Sequence, residues 1–165
     1  ESQKNAIKTA INFSKLNNIK IIFDVADPFV VKRNKEEFLE IIKNDIDIVF
    51  ANRSELAILF DTEDYNISAS KLGKIVKIAG IKLGKKGSIV AYDDNQTLLP
   101  PRPIIAKDST GAGDMYAAGF ITSLCKGMNP VEAGKIGSYL AEEIIKEAGA
   151  QFNINKIKEL SLTLF

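Results

Sequence analysis

The sequence predicts an α/β fold, a mostly parallel sheet with one antiparallel hairpin and helices on its flanks. Three observations carry that prediction. Short β-branched runs alternate with amphipathic segments in the first half of the chain, Asp93-Asp94-Asn95 sits between two more such runs, and two long segments of small and apolar residues follow. Taken in order, Gln3 to Leu16 spaces Ala6, Ile7, Ala10, Ile11 and Phe13 mostly three and four apart, which is one face of a helix, and Asn17-Asn18 ends it. Ile19 to Val25 reads as a short buried strand with Asp24 at its C-terminal end and Asp27-Pro28 as the breaker that closes it. Asn34 to Lys43 reads as a helix with Asn34 as N-cap, and Ile46 to Phe50 as the next strand. Strand, helix, strand implies a parallel pair with a right-handed crossover.

Asn52-Arg53-Ser54-Glu55 opens a short helix through Phe60, Ser68 to Lys77 gives another, and Gly80 to Leu83 a third strand. Ser88 to Tyr92 and Thr97 to Leu99 form the hairpin around the Asp93 turn. After Pro100, Pro101 and Pro103 comes an extended stretch, then helices Gly111 to Lys126 and Pro130 to Ala148, with Pro130 suited to a first turn. Asn155 to Leu160 is a last helix. No repeat or linker divides the chain, so residues 1–165 are expected to form one α/β region.

Composition narrows the chemistry. Lys plus Arg is 22 and Asp plus Glu 21, a net charge of +1, which argues against nucleic acid or an anionic membrane as partner and for a small ligand. There is no histidine, and Cys125 is the single cysteine. A Ser-His-Asp triad, a Cys-His pair and any histidine-bearing zinc site are therefore excluded within this chain. Carboxylates, Lys and Arg, hydroxyls, backbone amides and an oxygen-bound metal remain. One cysteine forbids an intrachain disulfide and fits a reducing compartment, and no apolar run approaches the ~20 residues of a membrane span. The expected setting is cytoplasmic. Cys125, on the helix after Gly111, reads as buried packing.

The most informative stretch is Asp108-Ser109-Thr110-Gly111-Ala112-Gly113-Asp114, immediately before the small-residue helix. Glycines at a helix start let successive N–H groups converge, and the helix dipole adds positive potential, so an anion is held there. A carboxylate one residue beyond, Asp114, is positioned to accept the proton of an attacking hydroxyl. Alone, the same stretch reads equally as a glycine turn whose Asp108 or Asp114 caps the helix. It is neither a GxxxxGK[ST] loop nor a dinucleotide fingerprint, because Tyr116 stands where the third glycine belongs.

DSTGAGDMYAAGF resembles the C-terminal signature of the PfkB, or ribokinase-like, family of carbohydrate and nucleoside kinases. Two further motifs stand upstream in that family's order: Asn52-Arg53-Ser54-Glu55 is similar to its NxxE, and Leu83-Gly84-Lys85-Lys86-Gly87 to its TLGxxG. The likeness runs from the FDVADPF segment to Gly149-Ala150, and DPFVVKRNKEEFLEIIKNDIDIVFANRSE is more similar to the adenosine-kinase-like branch than to ribokinases.

The resemblance implies a ribokinase-like fold and ATP-dependent phosphorylation of a hydroxyl on a sugar or nucleoside. It implies that Asp114 is the catalytic base, with the amides of Gly111, Ala112 and Gly113 as the anion hole. Asn52 and Glu55 would organise Mg²⁺ through water; their spacing alone is equally that of a helix cap. Gly84, Gly87 and Gly113 would lie along the nucleotide, with Ser138 beside the adenine. Gly84 to Gly87 also reads as a simple turn and Ser138 as a packing residue. Asp108 and Thr110 fall where several members form a monovalent-cation site, which would hold K⁺, or they cap the loop.

Lys82 departs from the pattern, standing where the third motif usually has Thr and removing a hydroxyl near the phosphates. Family members are about twice this length, so the chain is expected to be the C-terminal, ATP-side part of such a kinase. It is then expected to be a homodimer or poorly soluble through an unpaired sheet edge. The acceptor is open among adenosine, ribose and fructose. A different reading is a short protein derived from that fold that binds nucleotide or a partner without catalysis.

Overall fold

The computed structural model describes residues 2–164. Their contacts gather into two compact units, one running to Ile81 and including Ala91–Gln96, the other taking Lys82–Val90 and the chain from Thr97 onward. Five strands are hydrogen-bonded in the order β1-β2-β3-β4-β5, and the fold is a mostly parallel sheet with antiparallel strands, flanked by helices.

In the first unit α1 (Ser2–Leu16) precedes β1 (Ile22–Asp24), α2 (Pro28–Asp45), β2 (Ile48–Asn52), α3 (Arg53–Phe60), α4 (Tyr65–Gly73) and β3 (Ile78–Lys82), whose last residue, Lys82, is counted with the second unit. β1 and β2 pair in parallel, Ile22 opposite Ile48 and Asp24 opposite Phe50, as strand, helix, strand requires. β1 is shorter than expected and is not a buried strand. Standing at the end of the sheet, it leaves Ile22 38% exposed, whereas Val49, Phe50 and Ala51 of β2 are fully covered. α2 also corrects the sequence reading. It starts six residues before Asn34, because Asp27 is its N-cap, with Oδ1 accepting from the N–H groups of Phe29 (2.6 Å) and Val30 (3.3 Å). Pro28 occupies the first turn, where its missing N–H costs nothing, so the pair expected to end a strand begins a helix. Asn34 lies at a kink inside α2, with φ −129° and ψ 26°, and its amide donates to the Val30 carbonyl. α4 likewise starts at Tyr65 rather than Ser68, since Asp64 caps it.

The second strand pair is β4 (Ser88–Tyr92) and β5 (Asn95–Leu99), joined by Asp93-Asp94. Both turn residues have positive φ, 48° and 60°, the pattern of a two-residue turn whose twist matches a hairpin.

α5 (Ala112–Cys125), α6 (Pro130–Ile144) and α7 (Ile154–Leu164) belong to the second unit. α5 and α6 meet through glycine. A Cβ on Gly119 would stand 3.1 Å from the Gly137 Cα, and one on Gly137 would stand 2.6 Å from the Tyr116 carbonyl. Leu140, Ile144, Phe152 and Leu160 form a buried cluster, with Ala112 and Met115 packed against it, which anchors the first turn of α5. Cys125, the last residue of α5, is exposed, contrary to its sequence reading, while Ser123 two residues before it on another face of the same turn is buried. Among the described residues no helix is long and apolar enough to cross a membrane.

Candidate active site

The stretch before α5 is a loop whose first carboxylate bonds both the loop itself and the segment after α6. Asp108 Oδ1 accepts from the Thr110 N–H (2.9 Å) and the Thr110 hydroxyl (2.7 Å), and Oδ2 accepts from the Gly149 N–H (2.9 Å). These donors, the Thr110 hydroxyl first and then the Gly149 and Thr110 amides, hold the Asp108 carboxyl down to about 2. Asp108 thus ties the loop to the turn after α6, and the Lys107 N–H reinforces this on the Ile145 carbonyl at 2.7 Å.

Gly111 then turns the chain in the left-handed region, φ 78°, as the N-cap of α5. A Cβ there would lie 2.8 Å from both the Cα and the carbonyl oxygen of Ala150. The Gly149-Ala150 segment is therefore seated directly on the turn. With glycine as N-cap, no side chain caps the first turn of α5; the Ala112 N–H donates to the Ser109 carbonyl at 3.3 Å, and the positive end of the helix stands at the Gly111 turn. Asp114 is in the first turn of α5 and exposed.

The third motif makes a tight 3₁₀ turn over Gly84–Lys86. The Leu83 N–H bonds the Gly87 carbonyl (2.8 Å), and the Gly87 N–H bonds that of Gly84 (3.0 Å). Gly87, at φ 88° and ψ −135°, could carry no side chain, since its Cβ would run into the Leu99 carbonyl.

These pieces meet in one cavity of about 840 Å³ within the second unit. Lys82, Gly84, Gly87, Ser88, Ser109, Gly113 and Ser138 line it together with an apolar set: Pro101, Pro103, Ile104, Ile105, Ala112, Ala141 and Ile145. The structure thus brings Gly84, Gly87, Gly113 and Ser138 to one place. Ser138 shares a 2.9 Å hydrogen bond with Ser88. Tyr116, also in the wall, is 2% exposed, and burial pushes its phenol up to about 12, so it stays protonated. Asp108, Thr110, Gly111 and Asp114 are outside the lining; the first three shape the loop that presents Ala112 and Gly113.

Sequence reasoning missed the segment from Pro101 to Ala106, read only as extended chain. Arg102 fixes it, its backbone N–H and guanidinium donating to Glu142, its Nη2 to Glu143 at 2.7 Å, with the guanidinium 4.2 Å above the Tyr139 ring. An Arg between two prolines, followed by two isoleucines just before a glycine turn, was the available signal.

Asn52 and Glu55 belong to the first unit. They form a complete capping box at the start of α3: the Glu55 N–H donates to Asn52 Oδ1 (3.0 Å), and the Asn52 N–H to Glu55 Oε2 (2.7 Å). The Asn52 side-chain amide donates to Glu55 Oε1. Glu55 is 1% exposed. A second cavity, about 460 Å³, lies in this unit, but Lys15 and Lys77 on its wall are already paired with Asp45 and Asp47 and no glycine turn faces it. Among the described residues no cluster of three acidic or thiol side chains is arranged to hold a metal directly.

The structural neighbours of this fold are ribokinase-fold kinases. Adenosine kinase from Sinorhizobium meliloti superposes with a TM-score of 0.89 at 30% identity, over 97% of this chain and 50% of that one. The chain belongs to the PfkB family: the profile of the pfkB family carbohydrate kinases matches residues 1–157. An uncharacterized sugar kinase of Archaeoglobus fulgidus is 32% identical over 132 residues, 79% of this chain and 52% of that protein. A 5-dehydro-2-deoxygluconokinase of Clostridium botulinum is 28% identical over 170 residues, 97% of this chain and 50% of that protein. The chain spans about half the length of the curated relatives it matches.

Proposed function

We propose that this chain supplies the nucleotide side of a kinase that transfers the terminal phosphoryl group of ATP to a hydroxyl of a sugar or nucleoside, in a cytoplasmic setting. The observation that supports the reading is the start of α5, without a side-chain cap, beside a cavity lined by Gly84, Gly87 and Gly113 and by an apolar wall. The fit to a nucleotide rests on that pairing: amides and glycine backbone for phosphates, and Ile104, Ile105, Ala141 and Ile145 for a base.

ATP supplies the phosphoryl group, and Mg²⁺ would shield its charge. Asp114 takes the proton from the acceptor hydroxyl as that oxygen bonds phosphorus and the bond to the departing diphosphate breaks. The Gly111, Ala112 and Gly113 amides meet the charge that develops on the phosphoryl oxygens, already oriented by the Asp108 staple. Asn52 and Glu55 would hold the metal through water, since both Glu55 oxygens already accept hydrogen bonds from Asn52. Asp108 has its own donors, so its role is to shape the loop, and no potassium ion is proposed.

Calorimetric titration of the chain with ATP and Mg²⁺, followed by phosphoryl transfer to a panel of sugars and nucleosides, tests this. Saturable binding that Gly113→Val removes supports the reading. A folded chain that binds ATP no better than adenosine overturns it.

A further inference from the structure

Residues 103–106 form a strap that is fixed at both ends to one place, the C-terminal end of α6. At its start the Arg102 N–H donates to Glu142 Oε1 (2.9 Å), Nε to Glu142 Oε2, and Nη2 to Glu143 Oε1 (2.7 Å) and the Tyr139 carbonyl (3.5 Å). The guanidinium also lies over the Tyr139 ring. At its end the Lys107 and Asp108 N–H groups donate to the Ile145 carbonyl, at 2.7 and 3.3 Å. The C-terminal end of a helix leaves carbonyls without intrahelical partners and carries negative potential, so amide donors and a guanidinium are both well placed there. Among the described residues no backbone hydrogen bond holds Ile104, Ile105 or Ala106 between these two anchors. All three line the cavity, and Ile105 is 89% exposed.

An isoleucine this exposed adds little to folding and gains from burial only when something covers it. Where it stands is decided by the anchors of the strap, and the two are unequal. The Ile145 anchor uses backbone groups that any sequence supplies, whereas the other depends on one side chain. A planar fork reaches Glu142 and Glu143 together above an aromatic ring, an arrangement an ammonium cannot reproduce. Glu143 is also bonded by Lys146 at 2.7 Å, so this carboxylate keeps a partner without Arg102. We propose that Arg102 is a positioning residue for the nucleotide: by anchoring the strap to α6 it sets where Ile104 and Ile105 stand in the cavity wall, and so how much of the affinity the base contributes. The proposal rests on the kinase reading above and deepens it. The backbone N–H, Nε and Nη2 of Arg102 are engaged by α6, so the residue acts through the strap.

The test is titration of the wild-type chain, Arg102→Met, Arg102→Lys and Ile105→Ala with ATP and with inorganic tripolyphosphate, each in Mg²⁺. Tripolyphosphate has no base, so the ratio of the two affinities isolates the wall, and a general loss of fold would lower both alike. Arg102→Met is expected to weaken ATP binding about tenfold and to leave tripolyphosphate within about twofold, with Arg102→Lys in between. Ile105→Ala, at an exposed position where folding is not at stake, is expected to lower the same ratio several-fold. It should cost less in the Arg102→Met background than in the wild type, because both substitutions act on one wall. If the wild type prefers ATP to tripolyphosphate and Arg102→Met keeps that preference, the proposal is overturned and the nucleotide reading stands. Losses that simply add in the double variant overturn the proposal as well. A wild type that binds neither ligand overturns both.

Discussion

Gly111 and Gly113 are two residues apart in one motif, yet replacing each by alanine is expected to move stability in opposite directions. Gly111 is at φ 78°, where an L side chain costs about 1–2 kcal/mol, and its new methyl would stand 2.8 Å from the Cα and carbonyl oxygen of Ala150, atoms that yield only by moving backbone. Gly111→Ala is therefore expected to lose about 2 kcal/mol or more, roughly 4–8 °C in Tm for a chain of this size. Gly113 lies within α5, and its new methyl would meet the Lys82 amine at 3.3 Å, the far end of a flexible side chain that can swing aside. Alanine there removes backbone freedom from the unfolded chain, for a gain of up to about 1 kcal/mol. Thermal unfolding followed by circular dichroism reads both variants, and ATP titration reads the second consequence. Gly113→Ala places a methyl in the first turn of α5, on the wall of the proposed nucleotide cavity, so a chain at least as stable as wild type should bind ATP about tenfold or more weakly. A Gly111→Ala chain that melts at or above wild type, or a Gly113→Ala chain that falls as far as Gly111→Ala, refutes the assignment of one glycine to conformation and the other to the ligand.

Asp114→Asn is expected to lower phosphoryl transfer by about 10²- to 10⁴-fold while ATP affinity stays within about twofold, because proton acceptance belongs to the transition state; steady-state rates beside titration separate the two. The Asp108 staple predicts an acid-sensitive loop. With the folded carboxyl at about 2, below its ordinary 3.8, its stabilising contribution is complete above about pH 4 and disappears as pH falls through about 2. The Tm difference between wild type and Asp108→Ala should follow that course, and a difference that persists at pH 2 would remove the staple from the account. β1 at the end of the sheet, with Phe13 62%, Leu16 84% and Ile19 51% exposed nearby in sequence, is expected to drive self-association of the isolated chain. Light scattering showing a single 18.1 kDa species across concentration would contradict this.

The elements legible in the sequence were those whose signals are local. The Asp93-Asp94 turn, the Pro130 helix start and the glycine turn before α5 each depend on a few adjacent residues, and each stands where those residues put it. Misreadings arose where a residue has two local uses. Asp27-Pro28 ends strands and starts helices with equal ease, and only the bonds from Phe29 and Val30 to the Asp27 carboxylate decide between them. The exposure of β1 and of Cys125 depends on what lies alongside each in space, which no pattern within the segment contains. The same holds for the cavity wall from Pro101 to Ala106, which owes its position to an ion pair between Arg102 and Glu142, 40 residues away.

Asn52 and Glu55 show why a motif can have two readings without one excluding the other. N-x-x-E is the spacing of a capping box, and the structure contains that box in full, with both Glu55 oxygens accepting from Asn52. A buried carboxylate so engaged could bind a metal directly only by giving up a backbone or amide donor, at the cost of a charge-assisted hydrogen bond. A metal held through water asks for no such exchange, and magnesium retains its waters readily. The cap that stabilises α3 thus fixes the carboxylate in one rotamer and one orientation at the end of β2, which is what an outer-sphere metal partner requires. The spacing that builds this cap is the spacing the proposed metal would use, so sequence alone had no means of telling the two apart.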